Sequence, residues 1–364
     1  RDRAAALAEI SAWKSRRFTA SPPGPADAYQ RALRSQGWLD FDDLLLAAWR
    51  LLQDHPAVLA ELQSLYQGIF VDEYQDINPI QHALIRQLAG RDQGLTVIGD
   101  PNQAIYGFRG ADPDCFTRFT TDFPGAEVLT LRDNYRSGPT ILTASGQVMA
   151  GAGGGDLPDL TARILSPGRL TTHAAATDRA EAEYVVHHIE RLVGGTSMFS
   201  QDTGRVDTAE EGQWGFGDIA VLYRLHHQAR ALATALERSG MPYAVTGPRS
   251  DDEDDAASAP GPSQPPEVAV DGDKISLMTL HAAKGLEFPV VFMVGCEEGL
   301  LPLRLAGLSA DPDEERRLFY VGMTRARERL FLVRAERRVL YGKTCRQPVS
   351  RFVTAIEERL KEYE

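Results

Sequence analysis

The segment Gly68-Ile-Phe-Val-Asp-Glu-Tyr-Gln-Asp76 decides how the chain is organised. Its apolar, β-branched and aromatic run, residues 69–71, predicts a strand that is buried on both faces of a sheet. The run ends abruptly at Asp72 and Glu73. Ligands of open α/β sheets bind beyond the carboxyl ends of the strands, so this pair indicates a metal–phosphate site. An Asp-Glu pair alone also fits a solvated acidic turn, and the surrounding chain has to decide between the two.

A second strand of the same kind follows at Leu95–Ile98, and it runs directly into the polar, glycine-containing segment Gly99–Gly110. Two strands that end side by side in such loops are typical of a nucleotide-binding α/β sheet. The sequence therefore favours the functional interpretation of Asp72 and Glu73.

The hydrophobic periodicity predicts most of the remaining elements. Helices are expected at residues 3–17, from 26, from 38, and at 81–88, 179–192, 227–239 and 313–329, with a further helix at the C-terminus; strands are expected from 127 and at 219–223, 290–294 and 330–334. Asp40 is expected to cap the third helix, whose apolar face should pack on the sheet. Residues 248–273, rich in Asp, Pro, Ser and Ala, predict a disordered acidic and proline-rich linker.

Composition narrows the class of protein. A chain of 364 residues is long enough for two or three domains, and no apolar run approaches the roughly 20 residues that span a bilayer, so no membrane contact is expected. Three well-separated cysteines make no disulfide or metal-ligand pattern, which fits the cytoplasm. A net charge of −12 argues against binding nucleic acid by counterion release alone. A single-strand channel can still rely on aromatic stacking and a local basic groove.

Five segments stand in a recognisable order: Val71–Asp76, Gly99–Gly110, Asn134–Ser137, Leu277–Phe288 and Glu314–Arg327. They closely resemble motifs II (the Walker B element), III, IV, V and VI of the UvrD/PcrA/Rep group of superfamily 1 DNA helicases. The resemblance covers nearly the whole chain apart from residues 194–217 and 248–273. It implies ATP-driven translocation along single-stranded DNA and unwinding from 3′ to 5′, in DNA repair or replication, with ATP and Mg²⁺ as cofactors.

The resemblance also implies roles on the nucleotide side of the first domain. Asp72 would hold Mg²⁺, and Glu73 would be the catalytic base that orients water. Gln75 and Gln103 would sense the γ-phosphate and couple the site to DNA.

In the second domain, Arg136 and Arg325 would reach the γ-phosphate and stabilise the charge that develops during transfer, as arginine fingers do. Tyr135 would stack on the adenine ring. Glu287 would contact the nucleotide sugar, and Gly285 belongs to the same cofactor-binding segment.

On the DNA side, Tyr106 and Phe108 lie in the loop with which the family presents aromatic rings to bases. The family usually has Trp at position 108, and Phe keeps a stacking face of smaller area. Arg109, Thr279 and His281 would contact the phosphate backbone or relay its position to the ATP site. For Tyr106, as for Tyr135 above, a core aromatic residue is the alternative.

The sequence departs from the family pattern in two ways. It contains no Gly-x-x-x-x-Gly-Lys-Ser/Thr phosphate loop, which the family carries ahead of the point where this sequence begins. We therefore expect a chain truncated at its N-terminus, whose isolated fragment is inactive in ATP hydrolysis. The large accessory subdomain that the family inserts before motif V is also absent. In relatives it touches duplex DNA and regulates unwinding, so whether this chain unwinds a duplex or only translocates along a single strand is left open.

Together these observations predict an α/β chain with two RecA-like parallel-sheet domains, the first of them incomplete. The expected domains are a remnant of a helical insertion subdomain at 1–37, a partial first RecA-like domain at 38–133, and a second RecA-like domain at 134–247 and 274–364, interrupted by the linker 248–273. The leading hypothesis is the motor portion of an ATP-dependent helicase or translocase, an enzyme when part of a longer chain. It would act as a monomer on single-stranded DNA, together with repair or replication proteins.

Two alternatives remain at this stage. One is a non-hydrolysing DNA-binding or partner-binding module that has lost its phosphate loop. The other is a helicase-like nuclease subunit, although the sequence shows no separate nuclease motif.

Overall fold

A computed structural model describes residues 3–16, 18–90, 94–150, 160–194, 214–246, 272–305, 308–340 and 342–364. It is a mixed α/β structure that divides into two compact units, Arg1–Val128 (unit 1) and Leu129–Glu364 (unit 2). The division comes five residues before the boundary expected from the sequence. Residues 248–271 of the predicted linker and residues 195–213 of the 194–217 segment lie outside the described residues. Among the described helices, none is both long and apolar enough to cross a bilayer.

Unit 1 combines six helices with a small parallel sheet in its described residues. The elements are α1 (Arg3–Arg16), α2 (Ala26–Ser35), α3 (Phe41–Asp54), α4 (Pro56–Leu65), β1 (Gly68–Val71), α5 (Pro79–Ala89), β2 (Gly94–Val97) and α6 (Cys115–Asp122). Single 3₁₀ turns occur at Tyr74–Asp76, Pro101–Gln103 and Gly107–Arg109. The first two predicted helices are confirmed: α1 begins at residue 3 and ends one residue before the predicted end, and α2 begins at residue 26. The third helix begins at Phe41, three residues after the predicted start.

Helix α3 begins as predicted and packs differently from the prediction. The Asp40 carboxylate accepts a hydrogen bond from the backbone N–H of Asp43 at 2.7 Å, so Asp40 is the cap. Leu46 of α3 joins Ile10 of α1 and Ile80 of α5 in one apolar cluster. The apolar face of α3 therefore packs on other helices, and the expectation that it covers the sheet was wrong.

The sheet of unit 1 pairs β1 and β2 in parallel, with Val71 opposite Val97. Val71 and Val97 pack against the apolar cluster around Tyr74, whereas Phe70 and Ile98 are 77% and 50% exposed. Successive side chains on a strand point to opposite faces, so helices cover one face of this sheet and the other is open in the described residues. The prediction that residues 69–71 are buried on both faces was wrong for that reason.

Unit 2 is built around one larger sheet. Its elements are β3 (Asp133–Asn134), α7 (Pro139–Ala150), β4 (Thr161–Ala162), β5 (Arg169–Ala175), α8 (Asp178–Leu192), β6 (Ile219–Tyr223), α9 (Ala229–Arg238), β7 (Tyr243–Val245), β8 (Ile275–Thr279), β9 (Phe288–Val294), β10 (Arg304–Leu305), β11 (Leu308–Ser309), α10 (Pro312–Met323), β12 (Ala326–Ala335), β13 (Arg337–Leu340), β14 (Lys343–Arg346), α11 (Arg351–Thr354) and β15 (Glu362–Tyr363).

Seven parallel strands form this sheet in the order β15-β5-β12-β9-β6-β8-β7. Phe292 and Val294 of β9 pack with α8 and α9. Met293, which points to the opposite face, approaches Gly322 of α10. Helices thus cover both faces, and the apolar runs of β6 and β9 are fully buried, as expected for a parallel sheet.

Three predicted elements differ from the structure: one spans residues of both units along the chain, and two belong to unit 2. Residues 127–132 form no strand, and Leu131 is 85% exposed. The helix predicted to reach residue 329 ends at Met323, because Ala326 already pairs with Phe288 of β9. The final helix is only the short α11, preceded by the β13–β14 hairpin. In the last two of these segments, pairing with neighbouring strands overrides the helical preference of Arg and Glu.

A buried ion cluster connects β13 to the main fold of unit 2. Arg338, which is 6% exposed, donates to Glu297 at 2.5 Å and to Glu181 at 2.6 Å. The stability of these two buried carboxylates depends strongly on the Arg338 guanidinium that they share, because a buried charge without a partner is costly.

We predict that Arg338→Met lowers the free energy of unfolding by about 3–5 kcal/mol, since it leaves both carboxylates uncompensated. The adjacent Arg337, whose side chain is exposed, provides the control, and Arg337→Met should change the value by less than about 0.5 kcal/mol. Urea titration of the two variants tests the difference, and equal losses would contradict the assignment.

Candidate functional site

Asp72 and Glu73 stand at the carboxyl end of β1, where both side chains are exposed. The Asp72 carboxylate accepts a hydrogen bond from the backbone N–H of Glu73 at 2.8 Å. Glu73 has φ 51° and ψ 41°, the left-handed conformation that non-glycine residues rarely adopt. Such strained residues are concentrated at functional sites, where the surrounding structure holds them in place.

Gln75 connects the two strand ends of unit 1. Its side chain is almost fully buried; the amide nitrogen donates to the Glu73 carboxylate at 2.5 Å, and the amide oxygen accepts from the backbone N–H of Asp100 at 3.0 Å. The Asp100 carboxylate accepts in turn from the Gln103 amide at 2.9 Å. The structure thus brings Glu73, Gln75 and Gln103 together, with Asp100 as an intermediate that the sequence did not single out.

Gly99 makes this connection possible. A Cβ atom at position 99 would lie 2.2 Å from the Gln75 amide oxygen and 3.0 Å from the backbone nitrogen of Tyr74. A side chain at this position therefore cannot coexist with the observed position of Gln75.

A second set of contacts anchors the segment after Glu73 through the side chain of Tyr74. The hydroxyl of the buried Tyr74 lies 2.7 Å from His82 Nδ1, and His82 Nε2 lies 2.7 Å from the Asp122 carboxylate. The Tyr74 ring also packs against Phe116 and Phe119 of α6. Since Tyr74 directly follows Glu73, these contacts help to fix the backbone of the strained residue.

The aromatic side chains of the Gly99–Gly110 segment form a compact group. The rings of Tyr106 and Phe108 are 6.1 Å apart, and the Arg109 guanidinium lies 5.0 Å from the first and 5.5 Å from the second. Phe108 is 47% exposed, and burial raises the pKa of Tyr106, which is half-buried. Three of the five residues predicted on the DNA side thus share one surface, and Tyr106 is not a fully buried core residue.

In unit 2, the Asn134–Ser137 segment forms a tight turn. The Asn134 amide oxygen accepts hydrogen bonds from the backbone N–H groups of Arg136, at 3.1 Å, and Ser137, at 2.9 Å. The Ser137 hydroxyl donates to the carbonyl of Ala326 at 2.7 Å. These bonds connect two segments that are far apart in the sequence and place Arg136 beside the start of β12.

Glu287 lies between two arginines. Arg136 Nε is 2.7 Å from its carboxylate, and Arg327 Nη1 is 3.6 Å away. The hydrogen bond from the Arg136 side chain is the main reason why the pKa of Glu287 lies below its usual value. The backbone carbonyl of Arg327 also accepts a hydrogen bond from the backbone N–H of Gly138. Arg327 is therefore held next to Glu287, although the sequence analysis gave it no role.

Tyr135 is 70% exposed, so the alternative that it is a core aromatic residue was wrong. Gly285, two residues before Glu287, has φ +83° in the turn that follows β8. Tyr135 lies in the same loop as Arg136, and Gly285 lies in the same loop as Glu287.

Arg325 is in a different environment from Arg136. It is 1% exposed, and its guanidinium donates to the carbonyls of Val321 at 2.9 Å and Leu286 at 3.1 Å and to the Thr324 hydroxyl at 3.1 Å. In this structure Arg325 joins the end of α10 to the loop before β9, while Arg136 and Arg327 are the more exposed arginines.

Thr279 and His281 mark the carboxyl end of β8. The Thr279 hydroxyl accepts a hydrogen bond from the backbone N–H of Ala282 at 3.2 Å. The backbone N–H of Leu280 donates to the carbonyl of Tyr223 at the end of β6. Both predicted residues therefore lie at the edge of the sheet where ligands of parallel sheets bind.

The described residues contain no cluster of three or more His, Cys, Asp or Glu side chains suited to a metal ion. Asp72 nevertheless fits Mg²⁺, because this ion keeps several waters and is commonly held by one or two carboxylates together with substrate phosphates. Its carboxylate is exposed at the strand end, with the Glu73 carboxylate next in sequence.

Comparison with known proteins gives a consistent result across the chain. The UvrD/REP helicase N-terminal domain matches residues 13–124, and the UvrD-like helicase C-terminal domain matches residues 129–250 and 262–337. The chain is 27% identical to the ATP-dependent DNA helicase PcrA of Leuconostoc citreum, over 92% of this chain and 63% of the relative. It is 31% identical to the ATP-dependent DNA helicase UvrD2 of Mycobacterium tuberculosis, over 89% of this chain and 56% of the relative.

The chain thus spans less than two thirds of these relatives. Its alignment with PcrA of Leuconostoc citreum extends over 487 positions, whereas the chain has 364 residues, so the alignment includes positions that have no counterpart here.

We predict that Gly99→Ala lowers the free energy of unfolding by about 1–3 kcal/mol, because the added methyl group collides with the buried Gln75 amide. A Cβ atom at Gly94, the first residue of β2, would meet no atom closer than 3.8 Å. Gly94→Ala is therefore the matched control and should stay within about 0.5 kcal/mol of the unmodified chain in urea titration. A Gly99 variant as stable as its control would show that Gln75 can move without cost.

Proposed function

This chain belongs to the UvrD-like helicase family, and on that premise we propose that it is the motor portion of an ATP-dependent DNA helicase or translocase. It acts on single-stranded DNA and moves from 3′ to 5′. ATP and Mg²⁺ are its cofactors.

The observation that carries the proposal is a series of hydrogen bonds: the Gln75 amide joins the Glu73 carboxylate to the backbone N–H of Asp100, and the Asp100 carboxylate accepts from Gln103. A motor has to communicate between the bond that it hydrolyses and the strand that it moves. Gln103 is only three residues from Tyr106, which begins the aromatic group. A change in the hydrogen bonding of Glu73 would therefore be transmitted through a buried amide to the loop that stacks on DNA.

Asp72 and Glu73 serve the chemistry at the phosphate in this proposal. Asp72 would hold Mg²⁺, which supplies charge neutralisation to the phosphates when it is bound. Glu73 orients the attacking water and accepts its proton, and Gln75 fixes one oxygen of the Glu73 carboxylate. Phosphoryl transfer depends mainly on positioning and electrostatic stabilisation, so an immobilised base suits this task.

In this proposal the arginines of unit 2 supply positive charge to a nucleotide. Arg136 and Arg327 flank Glu287 and leave a local excess of one positive charge, with the exposed ring of Tyr135 in the same loop as Arg136. Arg136 contacts phosphate, Glu287 the sugar and Tyr135 the adenine ring. Arg325 contributes to transfer only after its guanidinium exchanges the carbonyls of Val321 and Leu286 for phosphate oxygens.

We predict that replacing both Tyr106 and Phe108 by Ala weakens binding of a fluorescently labelled oligothymidylate by about 2–6 kcal/mol, because stacking on one aromatic ring contributes about 1–3 kcal/mol per base. Fluorescence anisotropy measures the dissociation constant. Tyr66→Ala, which removes a 53% exposed aromatic residue outside the loop, is the control and should leave binding unchanged. Unchanged binding by the double variant, with an intact fold, would remove these rings from the DNA site.

A second prediction concerns hydrolysis, which also requires a phosphate loop that these 364 residues do not contain. In a longer chain that carries such a loop ahead of residue 1, Glu73→Gln should lower DNA-stimulated turnover by about 10²–10⁴-fold, the usual contribution of a general base. Nucleotide binding should persist, because Gln keeps the shape of the side chain. Glu61→Gln, an exposed glutamate on α4, is the control. Strong Glu73-dependent hydrolysis by the 364 residues alone would contradict the need for that loop.

A further inference from the structure

Arg16, the last residue of α1, contacts the aromatic loop of unit 1. Its Nη2 donates to the carbonyl of Gly107 at 2.5 Å, and its Nε donates to the carbonyl of Gly110 at 3.3 Å. These two carbonyls bracket Phe108 and Arg109. One guanidinium therefore holds both ends of the short turn that presents the aromatic group.

The helix that carries Arg16 is itself firmly anchored. Lys14 is fully buried and lies 2.6 Å from the Asp40 carboxylate and 2.7 Å from the Asp43 carboxylate. The indole N–H of Trp13 donates to the carbonyl of Ala20 at 2.9 Å. The last turn of α1 is thus a fixed support, and a bond from Arg16 transfers that rigidity to the loop.

Backbone hydrogen bonds within the loop also shape the turn. Arg109 N–H donates to the Tyr106 carbonyl at 2.9 Å, and Gly110 N–H donates to the Gly107 carbonyl at 3.0 Å. Gly110 has φ +95°, and a Cβ at this position would lie 3.2 Å from the Ser15 hydroxyl. The end of α1 and the loop therefore approach each other closely at a residue that lacks a side chain.

We propose that Arg16 is a positioning residue for single-strand binding: it holds the Gly107–Gly110 turn so that Tyr106 and Phe108 are pre-arranged to stack on bases. The inference rests on the proposed function, since it assumes that these rings contact DNA. Ordering a loop during binding reduces affinity, and a loop that is ordered beforehand avoids this cost.

Arginine is suited to this role because its donors are fixed in one plane and can reach two carbonyls at once. Lysine carries the same charge on one mobile ammonium group and does not reproduce the paired geometry. The substitution Arg16→Lys thus separates the effect of the paired hydrogen bonds from the effect of charge.

The test measures oligothymidylate binding by the full chain over a series of salt concentrations. Arg16→Gln and Arg16→Lys should both weaken binding about tenfold, with the slope of log K against log[salt] unchanged. Arg34→Gln, which removes an exposed arginine from the last turn of α2, is the matched control and should bind like the unmodified chain. Thermal unfolding of all variants verifies that each one is folded.

Other outcomes would overturn the inference. If Arg16→Lys restores binding and Arg16→Gln reduces the salt slope by about 0.7, Arg16 contacts a DNA phosphate and does not act through the loop. If Arg16→Gln weakens binding equally in a chain that already lacks Tyr106 and Phe108, it does not act through those rings. If the unmodified chain binds no single strand, the proposed function fails first, whereas normal binding by both Arg16 variants rejects only the positioning role.

Discussion

The arrangement of unit 1 depends on the burial of one amide side chain, that of Gln75. A buried amide without hydrogen-bond partners costs several kcal/mol. The fold therefore requires the two partners of the Gln75 amide, the Glu73 carboxylate and the Asp100 N–H, and the amide in turn positions them. The glycine at position 99 follows from the same constraint, because any side chain there would occupy the space of the amide. A single buried group thus determines the residue type at one strand end and the orientation of a carboxylate at the other.

Unit 2 shows how exposure separates arginines that stabilise the fold from arginines available to a ligand. Ion pairs exposed to solvent contribute little to stability, and the Arg136–Glu287 pair, about 34% and 43% exposed, belongs to this class. Arg325 and Arg338 are buried, and their hydrogen bonds hold backbone carbonyls and carboxylates of the core. In the proposed function, Arg136 exchanges this weak, exposed contact with Glu287 for a phosphate at little cost, whereas the buried arginines would first have to rearrange locally.

The sequence predicted those parts of the fold that depend on local patterns. The run Ile219–Tyr223 is continuously apolar and forms a strand within the buried sheet, and Asp40 caps a helix as its position indicated. Predictions failed where a distant partner decides the outcome. The exposure of Phe70 depends on what covers the sheet, and the end of α10 at Met323 depends on pairing between Ala326 and Phe288.

The same distinction applies to the candidate site. Motif resemblance identified residue types such as Glu73, Gln75 and Arg136, because each stands at a characteristic position along the chain. It could not identify Arg327 or Arg16, whose significance comes only from neighbours distant in sequence, Glu287 and Gly107. The burial of Arg325 was also beyond sequence analysis, since it depends on the carbonyl of Leu286 in a separate loop.

The charge of the chain favours a particular mode of DNA binding. With a net charge of −12, the protein gains little from counterion release, and burial, together with the nearby carboxylates of Asp76 and Glu73, raises the pKa of Tyr106. Stacking does not depend on net charge, because every base offers an aromatic face. The Arg109 guanidinium, which lies over the rings of Tyr106 and Phe108, adds a local cation to this surface. In the proposed function, this acidic protein therefore holds a single strand through ordered rings and one local charge, so binding would depend on the order of this loop.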